Sequence, residues 1–239
     1  MAPPVPIPSP KELVEIPLDW VEERSGLVSF NKYLLFRNVP SDISWLQTLG
    51  AALITTFLIQ ATTGVILAMY YHPTTDGAFE SIRYITDQAT LGWLVRGMHK
   101  WGSSIFVILL FLHMGRVFLM GSYKYPREMT WLTGSLLFLM VMFMSLTGYL
   151  LVFDQRAYWA SIVAININGS APILGPFIAE FLKVGPEFSQ NTLSRFYSLH
   201  MLAVPGGIIA FMLLHLYLVI RLGVTSPPWS KHRAKAGEV

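Results

Sequence analysis

The sequence predicts an all-α membrane protein built on a bundle of four transmembrane helices. Of its 239 residues, 53% are hydrophobic and only 13% are charged, which is far from the balance of a soluble domain. Four stretches reach the roughly 20 mostly apolar residues that a spanning helix needs. They cover about Trp45 to Tyr70, Leu91 to Met120, Thr130 to Phe153 and Arg195 to Arg221.

The segment before the first span divides into two parts. Residues 1–10 are Pro-rich and lack the basic start and apolar run of a cleaved signal peptide, so the first span is expected to direct insertion. Residues 11–36 mix apolar and charged positions around Pro17, which predicts one or two amphipathic helices on the cytoplasmic membrane surface; the alternative is an unattached polar tail. The expected organisation is an extension at 1–42, a four-helix domain at 43–222 and a basic tail at 223–239.

The loops predict the orientation of the bundle. The second and third spans are joined by a loop containing Lys124 and Arg127, and by the positive-inside rule this loop and both termini should be cytoplasmic. The C-terminal end is also basic, with Arg221, Lys231, Arg233 and Lys235. About 40 residues between the third and fourth spans contain turn formers, which predicts short helices on the outer surface sheltering a cavity. The net charge of +3 therefore reflects topology and does not indicate nucleic-acid binding.

Four of the six histidines lie within the predicted spans, where an unsatisfied ionisable side chain is costly and usually functional. The second span carries His99 and His113, and the fourth carries His200 and His215. Fourteen residues of an ideal helix leave two side chains about 40° apart in rotation and about 21 Å apart along the axis. Because both spans run in the same direction, His99 should face His200 at the outer level. His113 should face His215 at the inner level.

The interval between His200 and His215 is one residue longer than that between the other two histidines. On a regular helix 15 residues would leave a mismatch of about 60°. Pro205, Gly206 and Gly207 lie within this interval, and a kink or π-bulge there can absorb the extra residue. The spacing therefore predicts two stacked pairs of imidazoles.

Two facing imidazoles suit haem iron, which needs two axial ligands, better than zinc, which usually takes four. The chain has no cysteine, which excludes disulfides, thiolate metal sites and covalent c-type haem attachment. Glycines on the first and third spans repeat the 14-residue interval, and they would allow the flat edge of a macrocycle to approach the helices. These glycines are Gly50, Gly64, Gly134 and Gly148. Taken singly, each histidine or glycine could serve packing alone; the matched intervals together favour two b-type haems.

Three cations lie beside the ligand candidates: Arg96, Lys100 and Arg116. Inside a membrane such side chains need a buried anion, for which haem propionates are suitable, or they snorkel to the interface. Both interpretations remain open for Arg116. A haem with histidine at both axial positions suits electron transfer and disfavours oxygen chemistry. The expected function is therefore electron passage across the membrane.

Several motifs in residues 18 to 228 resemble cytochrome b6 of the cytochrome b6f complexes, within the cytochrome b group of quinol oxidoreductases. They are LDWVEER, ATTG, GWLVRGMHKW, LHMGRVFL, YPREMTWLTG, TGYLLVFDQRAYWA and TLSRFYSLH. The 15-residue histidine interval also resembles the b6 form. The resemblance implies an outer, low-potential haem at His99 and His200, and an inner, high-potential haem at His113 and His215.

The resemblance further implies a subunit of a quinol:cytochrome c or quinol:plastocyanin oxidoreductase complex. Quinol would be oxidised at an outer site, with one electron passing to a Rieske iron–sulfur protein and the other crossing the haems to an inner quinone-reduction site, coupled to proton translocation. The implied partners are a separate subunit-IV-like or C-terminal cytochrome b chain and a cytochrome c-type subunit, in a dimeric complex. Menaquinone is the expected quinone, and the bacterial cytoplasmic membrane is the expected location. The residues of the quinol sites stay unassigned.

Two departures from the family pattern refine this expectation. Thr48 stands where plant and cyanobacterial forms carry a cysteine for a covalent third haem, so only two haems are expected. The sequence LLVFDQ replaces the form that has a Pro-Trp pair before Asp-Gln. One alternative function is a haem b membrane anchor of a dehydrogenase or hydrogenase, which would not normally pair its histidines in this way. Another is a colourless four-helix transporter or structural subunit.

Overall fold

A computed structural model describes residues 10–36, 44–223 and 225 of the chain, and these residues form helices and the turns between them. The chain divides into two compact units, Met1–Ile43 and Ser44–Val239. The Pro-rich start and most of the basic tail, including Lys231, Arg233 and Lys235, lie outside the described residues.

The described part of the N-terminal unit contains α1 (Pro10–Ser25) and α2 (Leu27–Leu35). The two helices meet at Gly26, whose φ of 64° is in the left-handed region that glycine adopts easily. The Glu22 carboxylate accepts hydrogen bonds from the backbone amides of Val28 (2.8 Å) and Ser29 (3.0 Å), in the first turn of α2. Apolar side chains such as Trp20, 58% exposed, leave this unit with an apolar surface. Its place on a membrane surface stays a prediction.

Four helical rods in the second unit are long and apolar enough to cross a membrane, as predicted. The first is a 3₁₀ turn, Trp45–Thr48, followed by α3 (Leu49–Ala68); the second and third are α5 (Gly92–Leu119) and α6 (Glu128–Leu150). The fourth runs for 33 residues, Gln190–Leu222, through α9 (Gln190–Ser198), a π-helical turn (Leu199–Ala203) and α10 (Val204–Leu222). It begins five residues earlier than predicted because Ser189 and Thr192 form a capping box at the start of α9.

The π-helical turn ends at Ala203, two residues before Pro205. Proline has no amide hydrogen and its ring crowds the carbonyl one turn earlier, so the regular hydrogen-bond ladder is interrupted here. A π turn holds one residue more than an α-helical turn. The π turn therefore absorbs the extra residue between His200 and His215. It includes His200, whereas the sequence predicted the irregularity at Pro205 and the two glycines that follow.

The four spans pack as two pairs, α3 with α5 and α6 with α10. Between the pairs lies an apolar core to which every span contributes. Its buried members are Phe57, Leu110, Val141, Val204 and Ile208. On its own span, each of these residues lies between the two candidate histidines or the two spaced glycines. The core therefore separates two levels of the bundle.

A second apolar core lies under the connecting helices. These are α4 (Ala78–Asp87) between the first two spans, and α7 (Gln155–Gly169) and α8 (Gly175–Lys183) between the last two. The short helices predicted after the third span are therefore present. The helix α4 was not predicted, although Ala78, Ile82 and Ile85 lie on one face and pack inward.

Tyr71 joins this second core to the end of α6. Its hydroxyl donates a 2.7 Å hydrogen bond to the carbonyl of Leu151, and its ring stacks on Tyr197 with the ring centroids 5.6 Å apart. Burial raises the pKa of the Tyr71 hydroxyl above its usual value, so the group stays a donor. The bond fixes the end of α3 against the connection that follows α6.

Candidate functional site

His99 of α5 and His200 of the π turn lie opposite one another; we call this pair the first level. Their ring centroids are 6.3 Å apart and their planes meet at 79°. Bonds from imidazole nitrogen to a metal are about 2 Å long, so two such nitrogens on opposite sides of one ion stand about 4 Å apart. The centroids lie behind the nitrogens, and a separation of 6.3 Å therefore suits one metal ion between the two rings.

His113 of α5 and His215 of α10 form the second level. Both line one cavity of about 320 Å³ that is bounded by residues of all four spans. The walls between the spans are mostly apolar, with Phe57, Leu110 and Ile208 on the side of the central core. The structure thus brings the four sequence-derived ligand candidates together as two pairs.

Each imidazole lies against a glycine of the neighbouring helix in its own pair of spans. A Cβ atom added to that glycine would come within 2.5 to 3.5 Å of the imidazole Cε1. The four couples are Gly64 with His99, Gly50 with His113, Gly134 with His215 and Gly148 with His200. The glycines therefore give the histidine rings their space, which is a more direct role than the approach of a macrocycle edge expected from their spacing.

Three of the four imidazoles also hydrogen-bond to the threonine that directly precedes the glycine. The Nδ1 to Oγ1 distances are 2.9 Å for His99 with Thr63, 3.1 Å for His200 with Thr147 and 3.2 Å for His215 with Thr133. Each threonine hydroxyl already donates to a carbonyl of its own helix, so its oxygen is left to accept from Nδ1–H. The ring proton then lies on Nδ1, and Nε2 keeps its lone pair for a metal.

Sequence reasoning missed these threonines although a signal was present. The dipeptide Thr-Gly occurs at Thr63, Thr133 and Thr147, each time with one of the four spaced glycines. A threonine in an apolar helix usually bonds its own backbone, and only the structure shows that the same oxygen also reaches a histidine on the next helix.

The cavity of the second level carries a cluster of hydrogen-bond donors. In the described part of the chain, every buried side-chain nitrogen or oxygen without a hydrogen-bond partner belongs to a residue that lines this cavity. We call these residues the donor cluster: Gln47, Arg116, Ser122, Arg127 and Thr130. Arg116 contributes two such atoms, Nε and a terminal nitrogen. Buried unpaired donors are costly, so this set fits an anionic ligand such as a carboxylate.

The remaining candidates do not line the cavity of the second level. Arg96 is half-buried, one turn before His99 on α5. Lys100 is exposed, and its ammonium lies 5.6 Å from the centroid of the Trp101 ring. Thr48 is exposed on the 3₁₀ turn before α3 and donates to the carbonyl of Trp45 at 2.6 Å.

The residues of both levels fit a porphyrin iron. Each level offers two imidazoles, glycines open the space beside them, and the second level adds donors for carboxylates. Among the residues that the structure describes, no group of three or more His, Cys, Asp or Glu side chains gathers. Neither level therefore presents the four-ligand set of a closed zinc site.

Comparison with known proteins finds relatives along most of the chain. A family model described as Cytochrome b/b6/petB matches residues 35–223. Cytochrome b6 of Synechococcus elongatus is 38% identical over 209 residues, covering 87% of this chain and 97% of the relative. Cytochrome b6 of Gloeobacter violaceus is 37% identical over the same shares. Among solved structures, a chain of a Hyperthermophilic respiratory Complex III matches 88% of this chain at 31% identity, with a TM-score of 0.81. This chain spans 56% of that one.

Proposed function

The chain belongs to the cytochrome b/b6 family, and from this premise we propose that it carries two b-type haems, one at each level. It is the cytochrome b subunit of a bc- or b6f-type quinol-oxidising complex, and binding of b-type haem follows from the family. The observation that carries the proposal is the arrangement of four imidazoles in two pairs, one facing across 6.3 Å and one lining a common cavity, with each ring against a glycine.

In this proposal His99 and His200 would hold the iron of an outer, low-potential haem. His113 and His215 would hold the iron of an inner, high-potential haem. The outer assignment also includes Gly64 and Gly148, with Arg96 and Lys100 as candidate partners of the propionates. The inner assignment includes Gly50 and Gly134, and the donor cluster around Arg116 would hold the propionates there, because its buried donors lack partners.

When bound, each haem supplies reversible one-electron transfer. The chain's own residues make this the favoured chemistry. The two imidazoles at each level would both bind the iron, which would leave no position for oxygen. The apolar core between the levels, with Phe57 and Val141 at its centre, excludes water from the space between the two sites. The threonine hydroxyls hold three rings in the tautomer that presents Nε2.

Within the complex, we propose that an electron from quinol oxidation at an outer site crosses the chain to an inner quinone-reduction site, coupled to proton translocation. The other electron would go to a Rieske iron–sulfur protein. Further proposed partners are a subunit-IV-like or C-terminal cytochrome b chain and a cytochrome c-type subunit, in a dimeric complex that uses menaquinone. The proposed location is the bacterial cytoplasmic membrane. The basic loop at Lys124 and Arg127 supports an orientation with both termini cytoplasmic.

The test is haem content after replacement of single histidines. The chain, purified in detergent with its complex, should give two b haems per chain in the pyridine haemochrome assay. H99A or H200A should lose the outer haem alone, and H113A or H215A the inner haem alone. His72, which is exposed outside the spans, supplies the control variant H72A. A colourless wild-type protein, or retention of both haems in all four variants, would overturn the proposal.

A further inference from the structure

The two levels differ in how their histidines are hydrogen-bonded. At the first level both rings bond to a threonine, Thr63 for His99 and Thr147 for His200. At the second level only His215 does so. Among the described residues the ring of His113 has no hydrogen-bond partner. The residue before its glycine, at the position that threonine holds in the other three cases, is Leu49.

A hydrogen bond from Nδ1–H changes the electron donation of a ligating imidazole. Donating that proton to an acceptor increases the basicity of Nε2, and a more basic ligand stabilises the more positive, ferric iron. Hydrogen bonding beyond the axial ligands is one of the means by which a protein sets the potential of a haem. A site with fewer such bonds should therefore favour the ferrous state.

Resting on the proposed function, we propose that Leu49, in the place of a fourth threonine, raises the reduction potential of the haem held by His113 and His215 above that of the other haem. Leu49 would act through His113, because its apolar side chain offers the ring no hydrogen-bond acceptor. The difference makes electron transfer from the first level to the second favourable. Arg116, whose charge lies near the second level, acts in the same direction, but its effect is separable by substitution.

The geometry allows the missing bond to be restored. Leu49 begins α3 and is half-buried, and a Cβ on the adjacent Gly50 would lie 3.5 Å from Cε1 and 4.0 Å from Nδ1 of His113. A Cβ on Gly64 would lie 3.2 Å from Cε1 and 3.8 Å from Nδ1 of His99, which is a similar arrangement. A threonine at position 49 would therefore stand beside His113 as Thr63 stands beside His99.

The experiment is potentiometric titration of both haems in the assembled complex. L49T should lower the midpoint potential of the second-level haem, changing its reduced-to-oxidised ratio at fixed ambient potential by about fivefold, as expected for one net hydrogen bond. T63V, which leaves one threonine bond at each level, should raise the midpoint of the first-level haem and narrow the gap. The control T56V removes a hydroxyl of α3 that bonds only the carbonyl of Ala52 and should change neither potential.

Haem content separates this inference from the proposed function. If the wild type binds no haem, the proposed function fails. If both haems are present in L49T and T63V but neither midpoint moves, or if both midpoints move equally, the inference alone is overturned. If L49T does not assemble, T63V and T133V test the inference instead. T133V should raise the midpoint potential of the second-level haem, as T63V should raise that of the first-level haem. Unchanged midpoint potentials in both variants would overturn the inference.

Discussion

Replacement of Gly148 by alanine should displace the ring of His200 and weaken haem binding at the first level. The added Cβ would lie 2.5 Å from Cε1, 3.1 Å from Nε2 and 3.2 Å from Nδ1 of that ring. Ordinary contact begins at 3.4 Å, so the ring must retreat by about 0.9 Å. Retreat would strain or break the 3.1 Å bond to Thr147. Disturbing the groups that orient a metal ligand typically costs about 10- to 100-fold in affinity, or about 1.4 to 2.7 kcal/mol.

The chain supplies a graded series of control glycines. A Cβ on Gly134 or Gly64 would lie 3.1 or 3.2 Å from its histidine, and on Gly50 it would make an ordinary contact at 3.5 Å. Gly115, on α5, has nothing within 4 Å of the added atom. Haem affinity should therefore fall most in G148A, less in G134A and G64A, and little in G50A or G115A.

The assay is the haem-to-protein ratio of each purified variant during titration with a competing haem-binding protein, with reduced-minus-oxidised spectra to identify the haem that is lost. G148A should release the first-level haem at lower competitor concentrations and keep the second-level haem. If G148A holds both haems as tightly as the wild type and G50A loses a haem, the argument that these glycines give the rings their space is refuted.

Three further changes test other parts of the structure. Deleting Leu202, which is 76% exposed in the π turn, should convert that turn to regular α-helix and leave both haems bound. Deleting Ile105 from α5 should rotate one histidine by about 100° and remove a haem; equal haem content in the two deletions would contradict the role of the bulge. Tyr71→Phe leaves the buried carbonyl of Leu151 without its donor and should lower the free energy of unfolding by about 1–3 kcal/mol. Haem absorbance should then be lost at a lower temperature, and an unchanged midpoint of this thermal transition would contradict the role of the bond. Hydrogen bonds from α2 lower the pKa of Glu22, so they should stabilise the start of α2 fully above the usual pKa of a glutamate. This stabilisation should be lost as pH falls through the lowered pKa. Hydrogen exchange at the first amides of α2 should speed up over the same pH range, and Glu22→Gln should remove this pH dependence.

The spans and their pairing could be predicted because helix geometry converts sequence intervals into directions. The 14 residues from His99 to His113 fix a shared face on a regular helix, and the extra residue before His215 predicted an irregularity that the structure contains as a π turn. The family resemblance seen in the motifs is confirmed by the match over residues 35–223.

Features that depend on contacts between distant segments could not be predicted. The donor cluster joins Gln47, before α3, to Ser122 and Arg127 in a loop some 75 residues further on. Nothing in the local sequence around either segment specifies that approach. The contacts of the glycines with the histidine rings could not be predicted for the same reason, since only the packing of α3 on α5 shows that Gly64 lies against an imidazole.

The position of iron in the protein tests the central claim most directly. Anomalous X-ray scattering at the iron edge, from crystals of the purified complex, locates each iron atom without reference to the sequence. The account predicts two iron peaks in this chain, one between His99 and His200 and one between His113 and His215, about 21 Å apart along the helix axes. A single peak, or iron bound away from these imidazoles, would contradict it.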